Sequence, residues 1–94
     1  MTESEKTLEK KLINRLAKLG GWAVKLLAVH ITGLPDRLCL WPGGRVVFVE
    51  MKSTGKTVRP SQAAIHRKLR GLGFRVEVID STKGIDKLFK LMEE

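Results

Sequence analysis

The chain has 94 residues, 43% of them hydrophobic, so we expect one domain over residues 1–94 with a single hydrophobic core. Eighteen basic and 10 acidic residues give a formal net charge of +8, which favours a polyanionic partner, nucleic acid ahead of a membrane surface. No membrane span, lipidation signal or secretory signal is predicted, and the lone Cys39 excludes an internal disulfide or a cysteine zinc cluster, so we expect a reducing cytoplasmic setting.

The first half of the chain predicts a helix and a strand. Leucines recur at helical spacing between Leu8 and Leu19, and Thr2 and Glu5 have the spacing of a capping box at the helix start. The pair Gly20-Gly21 should end this helix. From Trp22 to Val29 the residues are too apolar for a surface helix, which predicts a largely buried strand.

A β-hairpin is predicted next. Pro35 cannot donate to a strand ladder, so it should stand at the entry of a strand from Asp36 to Trp41. The sequence Pro42-Gly43-Gly44 then turns the chain into a strand from Arg45 to Lys52.

The second half predicts two helices and one further strand. A helix should begin at Pro60-Ser61, and Gly71 and Gly73 should stop it. Its apolar stripe is predicted to consist of Gln62, Ile65, Leu69 and Leu72. Arg75 to Ile79 alternates as a strand, and a closing helix is predicted with Ile85, Leu88, Phe89 and Met92 on its buried face. The element order is therefore αβββαβα.

Three charged side chains should converge on the predicted hairpin. Alternation along a strand puts Glu50 and Lys52 on the same face, and Asp36 opens the neighbouring strand close enough to share that face. Two acids and one base in this arrangement indicate a metal site that cuts a phosphodiester.

The ordered set of motifs resembles the VRR-NUC family, the virus-type replication-repair nucleases, which belongs to the PD-(D/E)xK superfamily. The residues that carry the resemblance are Glu5-x-x-Leu8, Gly33-Leu34-Pro35-Asp36, Val49-Glu50-Met51-Lys52-Ser53, Gln62 and Leu69-x-x-Leu72-Gly73. Archaeal Holliday-junction resolvases are similar in their Pro-Asp and Glu-x-Lys elements. The resemblance implies a divalent-metal nuclease of the α/β class, with a restriction-endonuclease-like αβββαβ core, a C-terminal helix and a mixed central sheet flanked by helices.

The acid contributed by the first helix has two candidates. The VRR-NUC pattern puts it at Glu5, whereas the archaeal resolvase pattern puts it at Glu9. These residues lie four apart on one helix face, so either side chain could point toward the site.

Phosphodiester cleavage needs an activated water and charge relief, which a hard divalent cation on carboxylates supplies. We predict that Asp36, Glu50 and the Met51 backbone carbonyl hold Mg²⁺ or Mn²⁺, and that Lys52 positions the water or the developing negative charge. The alternative is a solvent-facing Glu50–Lys52 ion pair with Asp36 as a turn residue. Gln62 should orient Lys52, a water or the phosphate, or else satisfy free donors at its helix start.

Other polar and aromatic residues have weaker patterns. His30 and His66 lack the paired spacing of a metal site and are predicted to contact phosphate or lie on the surface. Trp22 and Trp41 either stack on unpaired bases or belong to the core or an interface. The candidate phosphate contacts are Lys25, Lys56, Arg59, Arg67, Lys68 and Arg70.

Together these features predict a metal-dependent, structure-selective DNA endonuclease, with branched DNA such as a Holliday junction as the substrate that the resemblance favours. Two symmetric cuts across a junction suggest a homodimer. The alternative is a basic nucleic-acid-binding module, or an accessory subunit, without its own catalysis.

Overall fold

The computed structural model describes residues 2–93, and their element order is the predicted one. The elements are α1 (Glu5–Lys18), β1 (Trp22–Lys25), β2 (Arg37–Trp41), β3 (Arg45–Met51), α2 (Pro60–Gly71), β4 (Arg75–Ile79) and α3 (Thr82–Met92). Within this part of the chain, no helix combines the length and the apolar character needed to cross a membrane.

The four strands form one mixed sheet in the order β1-β2-β3-β4. β1 pairs with β2, and β2 with β3, in antiparallel directions. The hairpin turn between β2 and β3 uses Gly43 and Gly44 at φ values of 91° and 80°, a conformation that side chains with a Cβ rarely adopt. β3 and β4 are parallel because α2 carries the chain back between them. This is the mixed α/β architecture that the sequence predicts.

One face of the sheet holds the hydrophobic core. Val47, Val49 and Met51 alternate along β3 and are buried with α1 and α3. Trp41 belongs to this core, where its ring lies 5.3 Å from that of Phe89. The leucines of α1 and the apolar face of α3 are buried as predicted: Leu8, Leu12, Leu16, Ile85, Leu88, Phe89 and Met92.

The start of α1 differs from the prediction. Ser4, not Thr2, is the N-cap, and its hydroxyl accepts a hydrogen bond from the Thr7 amide at 3.2 Å. The preceding Glu3 instead accepts from the Thr82 amide at 2.9 Å, at the start of α3. The Glu3 backbone also pairs with Thr54. Serine caps a helix at least as well as threonine does, so Ser4 can replace Thr2 in this role. The contacts of Glu3 with Thr54 and Thr82 then hold the segment before the helix in place.

β1 is shorter and more exposed than predicted. It ends at Lys25 rather than continuing to Val29, and Trp22 is 66% exposed. The physical reason is its position at the edge of the sheet, where it has β2 as a neighbour on one side. The apolar residues that follow Lys25 form a loop.

The inner face of α2 also differs from the predicted apolar stripe. Its buried residues are Gln62 and His66, whereas Leu72 is 68% exposed. Leu72 lies beyond the last helical residue, where the helical spacing no longer applies. The prediction that His66 lies on the surface is wrong, because the helix turns this ring toward the sheet.

Candidate active site

The predicted triad lies on the sheet face opposite the core. Glu50 and Lys52 alternate with Met51 at the end of β3, so their side chains leave the core face together. Only 2% of Glu50 and 8% of Lys52 is exposed, and their charged atoms lie 3.9 Å apart. A solvent-facing ion pair would be far more exposed than this.

Asp36 joins them from the residue just before β2. Its Oδ2 accepts a hydrogen bond from the Met51 amide at 2.7 Å, which fixes the carboxylate against the end of β3. The pairing of Arg37 with Val49 sets this register. Because the Met51 side chain is in the core, only its backbone carbonyl is left to serve as a ligand.

Helix α2 holds the Glu50 carboxylate through both of its oxygens. Gln62 Nε2 donates to Oε2 at 3.2 Å, and His66 Nε2 lies 3.4 Å from Oε1. Gln62 Oε1 also accepts from the Arg59 amide at 2.9 Å, so the side chain orients the site and satisfies the helix start at once. Both predicted roles of Gln62 are therefore compatible in one conformation.

Burial and a second acid keep Glu50 protonated up to unusually high pH. Burial, together with the charge and hydrogen bonding of Asp36, raises the pKa of Glu50 to about 8, while Lys52 acts in the opposite direction. Near neutral pH the Glu50 carboxyl group therefore keeps its proton when no metal is bound. A divalent cation at this position would replace that proton, which makes the pair a suitable donor set for one.

His66 is the residue that sequence reasoning missed. Burial, followed by the nearby charges of Arg70 and Lys52, lowers the pKa of its ring, so the neutral imidazole stands against Glu50. Its position four residues after Gln62, and therefore on the same helix face, was the available signal.

The two candidate acids of α1 have different surroundings. Glu9 Oε2 accepts from Arg37 Nε at 2.7 Å, and Arg37 also donates to the Ala23 carbonyl at 3.0 Å. Glu5 has an exposed side chain whose negative charge contributes to the raised pKa of Glu50. Glu9 thus joins α1 to β2, whereas Glu5 acts on Glu50 through its charge.

A cation here would rest on few protein ligands. Across residues 2–93, no group of three or more His, Cys, Asp or Glu side chains is arranged to hold a metal ion. The donors available to a cation would be the carboxylates of Asp36 and Glu50 and the Met51 carbonyl, with water for the other positions. Mg²⁺ is commonly bound in this way, because it dehydrates reluctantly and uses one or two carboxylates.

The predicted phosphate contacts are mostly exposed. Arg70 differs in part, because its guanidinium donates to the Val76 carbonyl at 2.7 Å and so joins α2 to β4. His30 is exposed in the loop after β1. The other exposed candidates are Lys25, Lys56, Arg59, Arg67 and Lys68.

The fold and these side chains define a small α/β nuclease domain of the restriction-endonuclease-like class. A sequence model of the VRR-NUC domain matches residues 3–83, and this chain belongs to that family. It is 40% identical over 77 residues to the protein named "Putative nuclease p44" of Acyrthosiphon pisum secondary endosymbiont phage 1, covering 82% of this chain and 83% of that protein. A solved structure described as a VRR_NUC domain superposes with a TM-score of 0.87 at 32% identity, covering 94% of this chain and 97% of the other.

Proposed function

We propose that this protein is a divalent-metal-dependent endonuclease that hydrolyses phosphodiester bonds in DNA, with Asp36, Glu50 and Lys52 at its centre. The observation that carries the proposal is the buried Glu50 carboxyl, which shares its surroundings with Asp36 and whose pKa is raised to about 8. A buried carboxyl group beside a second acid costs stability unless it holds a proton or both groups bind a cation. Binding of a metal ion would account for this otherwise unfavourable arrangement of acids.

Each side chain has a defined part in this chemistry. When bound, Mg²⁺ or Mn²⁺ supplies charge relief on the phosphoryl oxygens and a more acidic water. Asp36 and Glu50 would hold the ion, together with the Met51 carbonyl. Gln62 and His66 hold the Glu50 carboxylate in one orientation, and Lys52 presents its ammonium group for the attacking water or the developing negative charge.

The distribution of charge supports DNA as the substrate. Residues 10–76 contain fourteen of the 18 basic residues but only two of the 10 acidic ones, Asp36 and Glu50. The only negative side chains in this long stretch are thus the proposed metal ligands. Basic side chains thus dominate the segments that carry the site, which suits a polyanionic substrate, and a bound cation would offset the charge of the two acids.

We further propose that branched DNA is the preferred substrate. The active form would then be a homodimer. A four-way junction needs two cuts related by symmetry, which a twofold pair of identical active sites would deliver. Light scattering on the purified protein, alone and with a junction, tests this part separately. A monomer under both conditions would remove the dimer from the proposal while leaving the chemistry intact.

Cleavage assays test the chemistry. Wild type, Asp36→Asn and Lys52→Ala are compared on a four-way junction, a flap, linear duplex and single strand, with Mg²⁺, Mn²⁺ or EDTA. We expect cutting only with metal, and a loss of roughly 10²-fold or more in either variant. Glu77→Gln is the matched control, since this acid pairs with Arg75 on β4, outside the site.

Two outcomes would contradict the proposal. Full activity in Asp36→Asn and Lys52→Ala would show that these side chains do not carry the reaction. Tight binding of every substrate without any cutting, at any metal concentration, would instead identify an accessory nucleic-acid-binding module.

A further inference from the structure

The loop between β1 and β2 exposes three large aliphatic side chains beside the proposed active site. This aliphatic loop comprises residues 26–34, and Leu27, Val29 and Ile31 are 69%, 72% and 50% exposed. Single exposed apolar residues are ordinary, but three within five residues of one short loop are a concentration of apolar surface of the kind that marks an interaction site.

The loop is anchored at both ends, to the backbone of Asp36 and to the first turn of α2. At its start, the Leu26 amide donates to the Asp36 carbonyl at 2.9 Å, and Leu27 is the next residue. At its end, Gly33 adopts a φ of +92° and packs so closely on α2 that an added Cβ would lie 2.4 Å from the Ser61 carbonyl oxygen. The aliphatic side chains therefore project from an anchored base next to Asp36.

Charge on both sides of the loop favours nucleic acid as its partner. No acidic residue occurs between residues 10 and 35, or between 51 and 76. Lys25 and His30 are exposed within or next to the loop, and Lys56 and Arg59 are exposed in the connection before α2, whose first turn contacts Gly33. A nucleic acid bound at the proposed cation site of Asp36 would thus have the aliphatic loop beside it.

Aliphatic side chains cannot pair with phosphates, so their favourable contacts on DNA are with sugars and base faces. Leu and Ile are among the residues that proteins insert between base steps as apolar wedges. We propose that Leu27, Val29 and Ile31 form a wedge that contacts unstacked bases next to the scissile phosphate. This inference rests on the proposed nuclease function and adds a structural basis for substrate choice.

The wedge predicts which substrates are favoured. Inserting a side chain into continuous duplex requires bases to unstack, whereas a branch, flap or bulge already presents bases that are unpaired or weakly stacked. The loop should therefore raise binding and cutting at helical discontinuities relative to linear duplex. Removing its apolar side chains should abolish this preference and leave the chemical step in place.

The test compares wild type with the triple variant Leu27→Ser, Val29→Ser, Ile31→Ser and with Val29→Ser alone. The matched control is Leu19→Ser with Leu72→Ser, which removes aliphatic residues that are 54% and 68% exposed outside the loop. Binding to a fluorescein-labelled four-way junction and to linear duplex is measured by anisotropy in EDTA. Cutting rates are measured with Mg²⁺, and 2-aminopurine at the branch point reports unstacking.

We expect the triple variant to lose roughly tenfold or more of the junction-to-duplex preference, together with the 2-aminopurine signal, while duplex cutting and the melting temperature stay near wild type. Val29→Ser should show a smaller loss in the same direction, and the control should match wild type. An unchanged preference and unstacking signal in the triple variant would overturn the wedge.

A different result would identify the loop as a subunit interface. If light scattering shows that the triple variant changes from dimer to monomer, the aliphatic side chains cover each other in a second copy, and the wedge is wrong. Failure of the proposed function is distinct from both results, because wild type itself would then cut none of the substrates.

Discussion

Glu50→Gln should remove a pH dependence of stability that the metal-free wild type shows above neutral pH. The pKa of Glu50 is raised from 4.5 to about 8 in the folded protein, so the folded state binds a proton that the unfolded state has already lost. The stability that this proton provides is complete below pH 4.5 and disappears as the pH rises through 8. Within that window, the free energy of unfolding should fall by about 1.4 kcal/mol per pH unit.

The cleanest interval lies between pH 6.5 and pH 8. Burial lowers the pKa of the His66 ring in the folded protein. Below pH 6.5 the unfolded chain therefore binds more protons at this histidine than the folded chain does, and this effect opposes the pH dependence that Glu50 causes. Between pH 6.5 and 8, the free energy of unfolding of wild type should fall by an amount on the order of 2 kcal/mol. With a urea m-value of about 1 kcal/mol/M, the midpoint would fall by more than about 1 M.

Urea unfolding in EDTA measures this loss, with the fluorescence of Trp41 in the core as the signal. Glu50→Gln should give nearly the same midpoint at both ends of the interval, because the amide does not titrate. Glu77→Gln, which changes an acid outside the site, should keep the wild-type slope. Parallel pH profiles for wild type and Glu50→Gln would refute the argument that the buried carboxyl is protonated near neutral pH.

Three further changes test other parts of the structure. Mg²⁺ at ten times its Kd should stabilise wild type by about 1.4 kcal/mol, or roughly 6–11 °C in Tm, and Asp36→Asn should abolish that shift in a thermal-melt assay. His66→Leu removes a partner of Glu50 and should weaken Mn²⁺ binding roughly 10-fold by calorimetry, with His66→Gln nearer to wild type; equal affinities would contradict a positioning role. Lys11 and Thr82 lower the pKa of Glu3 to about 2, so its stabilising effect, complete above pH 4.5, should be lost as pH falls toward 2; an acid titration in which Glu3→Gln tracks wild type would contradict this.

The positions of Glu50 and Lys52 could be predicted because they depend on a local rule. Residues two apart on a strand share a face, and Val47, Val49 and Met51 identify the core face. The remaining face must then carry the charged pair. The register that brings Asp36 to the same place follows from a short hairpin turn, which is also a local feature.

The residues that surround that pair were harder to predict from the sequence, because they depend on contacts between distant parts of the chain. The predicted inner stripe of α2 included Gln62, which is buried, but its buried companion is His66 rather than Leu72. Both Gln62 and His66 contact Glu50. Glu50 lies 12 residues before Gln62 and 16 before His66 in the sequence, and the helical periodicity of α2 carries no information about such a distant partner.

The predicted length of β1 was wrong for a related reason. The run from Trp22 to Val29 has the composition of a buried strand, but burial also requires neighbours to cover it. At the sheet edge the run has one strand neighbour, and its second half leaves the ladder. Composition therefore identified an apolar segment correctly and assigned it the wrong environment.

The hydrogen bonds of Glu3 have a consequence for synthesis on the ribosome. Its backbone partner Thr54 is 51 residues downstream, and its carboxylate partner Thr82 is 79 residues downstream. Glu3 is synthesised before both partners, so its native contacts can form only after the start of α3 has left the exit tunnel. Anchoring of the segment before α1 to the start of α3 is therefore a late step of folding, because it joins residues far apart in the sequence.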